Sequence, residues 1–212
     1  LEALESAAAG PGAGAPGAAV DLIALVDPNA DAVQGVWRHA NQKRTLLSPE
    51  GGFSRVQIRY ARDLQLRDFK SGHFVLLGSS RSNPWVGLFA GRRNFEAGFD
   101  PGAKRPLFRN RSPRAGEQAA YVTEGVDGKA GETWGVISFL PGREGGGNVL
   151  IVEGTNMEGT EAAGEFLADP ASLDVLWRGL PAGAGYFEVL LRSTAMAGTA
   201  RDTRIAAIRV IE

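Results

Sequence analysis

The chain has 212 residues, 43% hydrophobic and 22% charged, with 23 basic and 24 acidic side chains, a formal net charge of -1 and no cysteine. A balance this close to neutral supplies no global field for nucleic acid or an anionic membrane, so nucleic acid is not the expected partner. The missing thiols remove cysteine nucleophiles, disulfides and Cys-ligated zinc together, and the length suits one substantial core.

Residues 1–18, LEALESAAAGPGAGAPGA, are Ala, Gly and Pro with almost nothing large to bury, and read as a flexible linker ahead of a single domain over 19–212. A G-x-G-x-x-G at Gly12, Gly14 and Gly17 lies in this linker. It lacks the preceding strand and following helix that a dinucleotide fingerprint needs, and Pro16 sits inside it. No apolar run approaches the roughly 18–20 residues that cross a bilayer. The chain starts at Leu1 rather than Met, so it is expected to be cut from something longer, with a DNA-binding or membrane-anchoring region upstream. Composition leaves the compartment undecided, since a cysteine-free chain suits the cytoplasm, the periplasm or the exterior alike.

In the body, AVDLIALVD (19–27) is a buried-strand candidate, and DAVQGVWRHA (31–40) has helical apolar spacing. SRVQIRYARDL (54–64) alternates like a half-buried strand, and HFVLLG (73–78) is continuously apolar, as a strand covered on both faces would be. Asn83 and Pro84 then start a helix carrying Trp85, Val86, Leu88 and Phe89. PLFRN, QAAYVTEG, a turn near Asp127 and TWGVISFLP read as a meander. NVLIVEG (148–154) is a second buried strand, followed by a helix over 157–168. Asp169 and Pro170 open another helix, and YFEVLLRST with TRIAAIRVI close the chain as a hairpin. Apolar strands alternating with helices predict a three-layer, Rossmann-like α/β domain, its sheet mixed and mainly parallel with antiparallel strands at the edge.

Two strand-to-helix turns attract attention, because helix N-termini at the end of such a sheet favour anions. Ser79, Ser80, Arg81, Ser82 and Asn83 in the first, with Thr155 and Asn156 in the second, would line one crevice if their strands are neighbours. Helix capping accounts for much of the same composition: Asn83 is a good cap, and Thr155 with Glu158 has capping-box spacing. A second candidate is the segment 92–114, where Arg92, Arg93, Lys104, Arg105, Arg109, Arg111 and Arg114 meet only Glu96 and Asp100, a surface for a protein partner. There is no Gly-Lys-Ser/Thr phosphate loop, G-x-S-x-G elbow or H-E-x-x-H, and His39 and His73 share no motif. No catalytic residue, cofactor or metal is therefore assigned, and an enzyme is the less favoured reading.

At LLGSSRSNPWVGLF and NVLIVEGTNMEGTEAAGEF the chain resembles a poorly characterised bacterial α/β domain found in the C-terminal parts of larger proteins. The likeness covers about residues 54–193, and the strand-GSxxxNP-helix pattern is also similar to flavodoxin-like modules of bacterial envelope proteins. It implies an accessory domain and supplies no catalytic residues. The expectation is thus a non-catalytic sensory or ligand-binding module that recognises a small anion at the 79–83 and 155–156 crevice, the alternative being a structural or protein-interaction domain.

Overall fold

The computed structural model describes residues 20–23 (backbone only), 60–70, 72–124, 130–144, 147–196 and 199–211. The expected linker over 1–18, the helix over 31–40, most of the strand over 54–64, the turn near 127 and His39 lie outside these residues. The described chain runs β1 (Val20–Ile23), β2 (His73–Leu77), β3 (Phe95–Asp100), β4 (Arg105–Asn110), β5 (Ala120–Val122), β6 (Gly131–Pro141), β7 (Asn148–Gly154), α1 (Met157–Ala168), α2 (Pro170–Gly179), β8 (Tyr186–Met196) and β9 (Thr199–Ile211).

Six strands form one sheet in the order β1-β2-β7-β6-β8-β9, and β3-β4-β5 form a second, antiparallel one. Only the β1-β2 and β2-β7 pairings are parallel; β7-β6, β6-β8 and β8-β9 are antiparallel. This overturns the Rossmann-like expectation. The run TWGVISFLP is not part of an edge meander but becomes β6, in the middle of the large sheet. Continuous apolarity shows that a strand is covered on both faces, yet it names neither its direction nor what covers it.

Here the two covers differ. On one face, Ile137, Phe139, Val152, Phe187, Val189 and Leu191 pack against Ala163, Phe166, Leu173 and Leu176 of the two helices. The opposite face carries no α-helix among the described residues. At the β2-β7 side, Phe74, Leu76, Val149 and Ile151 lie under Leu64, Phe69, Val86 and Phe89. At the β6-β8-β9 side, Trp134, Val136, Leu190 and Ala207 lie under Phe95, Phe108 and Tyr121 of the small sheet. Each buried ring contributes about 1.5–3 kcal/mol, so both covers are held strongly.

Local choices follow the sequence closely. Asn156 caps α1 by accepting from the Gly159 N–H at 3.0 Å, and Asp169 caps α2 by accepting from Ser172 at 2.9 Å. The α1 cap is therefore Asn156 rather than the Thr155–Glu158 box, because Thr155 is spent on β6. The expected helix after Asn83 is a 3-10 segment, Pro84–Arg92. Its buried positions Asn83, Val86 and Phe89 recur every third residue, the eclipsed stripe of a 3-10 turn. Ala61–Asp63 is likewise 3-10 rather than strand.

Candidate functional site

Between the two covers, the far face of the large sheet bears polar groups where a core would be apolar. Alternation along the strands turns Ser138 of β6, Glu153 of β7 and Glu188 of β8 to this face, and all three are fully buried. Arg93, which ends the Pro84–Arg92 segment, reaches down to all of them. Its Nη2 donates to Glu153, and its Nε donates to Ser138 Oγ at 3.1 Å and Glu188 Oε1 at 3.3 Å. Glu188 is otherwise satisfied by Ser138 Oγ at 3.1 Å and by the backbone N–H groups of Asn94 and Phe95 at 2.7 and 3.0 Å. Glu153 Oε2, by contrast, has no hydrogen-bond partner among the described residues.

Burial pushes the Glu153 carboxyl above the usual carboxylate range; the Arg93 charge opposes this, and Glu188 and Glu96 reinforce it. Burial works against the Arg93 charge, but the two carboxylates outweigh it and hold its pKa above the ordinary value. This cluster anchors the strip of chain that carries Arg93 into the sheet and fixes the floor of what lies above.

Above it opens a cleft of about 1120 Å³. Six arginines line it: Arg92, Arg93, Arg111, Arg114, Arg143 and Arg209. No Asp or Glu is among its lining residues, and Pro113, Pro141, Val210 and Ile211 supply aliphatic wall. The cations are not equivalent. Arg93 is matched by its buried acids, and exposed Arg111 pairs with Glu96 at 3.3 Å. Arg209 pairs with Glu117, which also accepts from the Arg114 N–H at 2.9 Å and from Asn110 Nδ2 at 3.0 Å. The Arg209 hydrogen bond is the main reason the Glu117 carboxyl is pulled down to about 2.

Among the described residues, three of these guanidinium groups meet no carboxylate. Arg92 donates to the Pro141 and Gly142 carbonyls at 3.1 and 3.4 Å, and Arg114 to the Ile208 carbonyl at 3.4 Å. These bonds orient the side chains without neutralising them. Exposed Arg143 has no hydrogen-bond or ion-pair partner among the described residues.

The crevice expected from the sequence lies elsewhere. Strands β2 and β7 are neighbours, and the Gly78 N–H donates to the Val152 carbonyl at 2.9 Å, so the two turns share one end of the sheet. The side chains of Ser82, Asn83, Thr155 and Asn156 are occupied in building it. Buried Asn83 donates to the Leu77 carbonyl at 3.1 Å and accepts from the Trp85 N–H at 3.1 Å, while Ser82 Oγ donates to the Ser79 carbonyl at 3.2 Å. Ser80 and Arg81 are exposed, and the Arg81 guanidinium lies 5.8 Å from the Phe99 ring centroid. Thr155 accepts from Thr123 and from the Trp134 N–H, and Asn156 accepts from Thr133 as well as from Gly159. None of these seven residues lines the arginine cleft, which opens at the other end of the sheet, where β6 and β9 finish.

Sequence reading had singled out Arg92, Arg93, Arg111 and Arg114, but not Arg143, Arg209, Glu153 or Glu188. The last two did carry a signal. A lone Glu inside NVLIVEG and another inside YFEVLL are charges in runs otherwise fit for burial, and a buried charge demands a partner. Among the described residues no three His, Asp or Glu side chains converge as a metal site would require. Comparison of the chain with protein-family models, with curated proteins and with solved structures returns no match.

Proposed function

We propose that this domain is a binding module that takes an anionic ligand in the arginine-lined cleft. The observation that carries the reading is the convergence of three uncompensated cations, Arg92, Arg114 and Arg143, in one concavity that no carboxylate of the described residues lines. A cleft of this size holds a small organic molecule with room for its hydration. Its other polar side chains are Asn94 and Ser112, neither linked to a His or a carboxylic acid inside the cleft. That lining suits charge recognition more than proton transfer. The reading keeps the anionic ligand that the turns suggested and moves its place, because Asn83, Thr155 and Asn156 are already spent on caps and inter-strand bonds and Arg81 is the one cation of those turns, against three uncompensated ones in the cleft.

The test is thermal unfolding of the full chain with pyrophosphate, citrate and sulfate at constant ionic strength. A ligand at 100 times its Kd adds about 2.7 kcal/mol to the folded state, a readily measured rise in midpoint. The rise should vanish in the triple variant Arg92→Ala/Arg114→Ala/Arg143→Ala and persist in Arg81→Ala. Loss in Arg81→Ala alone would return the site to the turn crevice. No rise with any of the three anions would count against an anion site altogether.

A further inference from the structure

We infer that the occupant of the cleft is a small molecule bearing a phosphate monoester or a diphosphate, rather than a carboxylate or a nucleic acid strand. This rests on the anion-binding reading above and adds a ligand class to it. The first argument is charge. Once Glu153, Glu188, Glu96 and Glu117 have been assigned to Arg93, Arg111 and Arg209, the guanidinium groups of Arg92, Arg114 and Arg143 remain to be matched. A phosphate monoester brings about -1.5 to -2 at pH 7 on three acceptor oxygens. A single carboxylate brings only one charge on two.

The second argument is geometry. Among the described residues lining the cleft there is no Lys; every cation is a guanidinium, whose planar fork offers paired N–H donors to a phosphate. The Pro141, Gly142 and Ile208 carbonyls hold Arg92 and Arg114 in place before a ligand arrives, which lowers the entropy lost on binding. Arg143 is exposed and without a partner among the described residues, so it is free to close onto the anion.

The third argument separates a small molecule from a strand. No aromatic ring of the described residues lines the cleft, so they offer no platform on which successive bases could stack. The chain as a whole is close to neutral, without the basic excess that long polyanions exploit. The Pro113, Pro141, Val210 and Ile211 wall offers instead a compact aliphatic surface for the body of the ligand.

Calorimetric titration of the full chain at fixed ionic strength tests this with glycerol phosphate, pyrophosphate, acetate, citrate and a single-stranded dodecanucleotide. Pyrophosphate should bind about tenfold tighter than citrate despite similar charge, because each lost charge-assisted hydrogen bond is worth roughly that factor. Glycerol phosphate affinity should rise between about pH 5 and 7 as its second proton leaves. Arg143→Ala should weaken pyrophosphate by about tenfold. Since that side chain is exposed and holds no described partner, its variant should keep the parent's unfolding midpoint.

Citrate binding as tightly as pyrophosphate would overturn the phosphate preference and leave the anion cleft standing. An oligonucleotide binding tightest, with a steep salt dependence, would assign the cleft to nucleic acid and overturn the inference. Failure of every anion would overturn both this inference and the reading on which it rests.

Discussion

Arg93 is one guanidinium facing two buried carboxylates, and that imbalance has measurable consequences. Removing it leaves two uncompensated charges under the small sheet, so Arg93→Met should cost about 3–5 kcal/mol in denaturant unfolding. Glu153→Gln should behave oppositely. It removes one charge from a site whose second oxygen has no partner, and it keeps the oxygen that accepts from Arg93. A carboxyl whose pKa is raised on folding loses its contribution as pH rises from the ordinary value through the folded one, so the Gln variant should match or exceed the parent, increasingly so as pH rises above 4.5. A Glu153→Gln protein as damaged as Arg93→Met would show that the ionised pair holds the sheet together. Glu117 carries the other sign. Its folded pKa of about 2 lies below the ordinary 4.5, so its stabilisation is complete above 4.5 and is lost as pH falls from there towards 2. The shift corresponds to at most about 3 kcal/mol, less whatever solvent screening removes. An acid titration of stability should therefore be flatter in Glu117→Gln than in the parent, and equal slopes would show that the Arg209 pair contributes nothing.

At the scale of elements, α1 is set against β6 by a close backbone approach. A Cβ added to Gly159 would stand 2.2 Å from the Trp134 carbonyl oxygen, and one at Gly135 would stand 2.6 Å from the Gly159 oxygen. Replacing a helical Gly by Ala ordinarily gains up to about 1 kcal/mol in helix propensity. Here the collision with rigid backbone decides the sign, so Gly159→Ala should destabilise by about 2 kcal/mol or more. Gly164, on the same helix with nothing within 4 Å, should show the ordinary gain, which makes the pair its own control by thermal unfolding. The helix boundaries were legible because they depend on near neighbours: Asn83-Pro84, Met157 after Asn156, and Asp169-Pro170 are written in consecutive residues. Trp85, Val86, Leu88 and Phe89 fit a 3.6-residue repeat as well as a threefold one, so their spacing predicts an ordinary helix where the structure has the 3-10 segment Pro84–Arg92.

For the whole molecule, the sheet arrangement predicts where the fold is hardest to open. β6 lies between β7 and β8 with helices on one face and the small sheet on the other, so amides of Val136, Ile137 and Leu140 should exchange at or near the rate set by global unfolding. Those near Arg201 and Arg204, on the exposed half of edge strand β9, should exchange far faster; equal protection would contradict this layering. The same arrangement creates the cleft. Arg92 and Arg93 arrive with the 3-10 cover, Arg111 and Arg114 with the small sheet's loop, Arg143 with the end of β6 and Arg209 with β9, and they meet only because the two covers leave a gap between them. By itself the sequence determined the strands β2, β7, β8 and β9, the extent of α1 and the start of α2, the absence of thiol chemistry and the basic character of residues 92–114, all properties of local composition and periodicity. Only the tertiary structure decided strand order and direction, the pairing of Glu153 and Glu188 with Arg93, and the convergence of Arg143 and Arg209 with that basic segment. These depend on which apolar faces bury one another across distances of 50 to 100 residues, and local pattern carries the need for a partner without naming it.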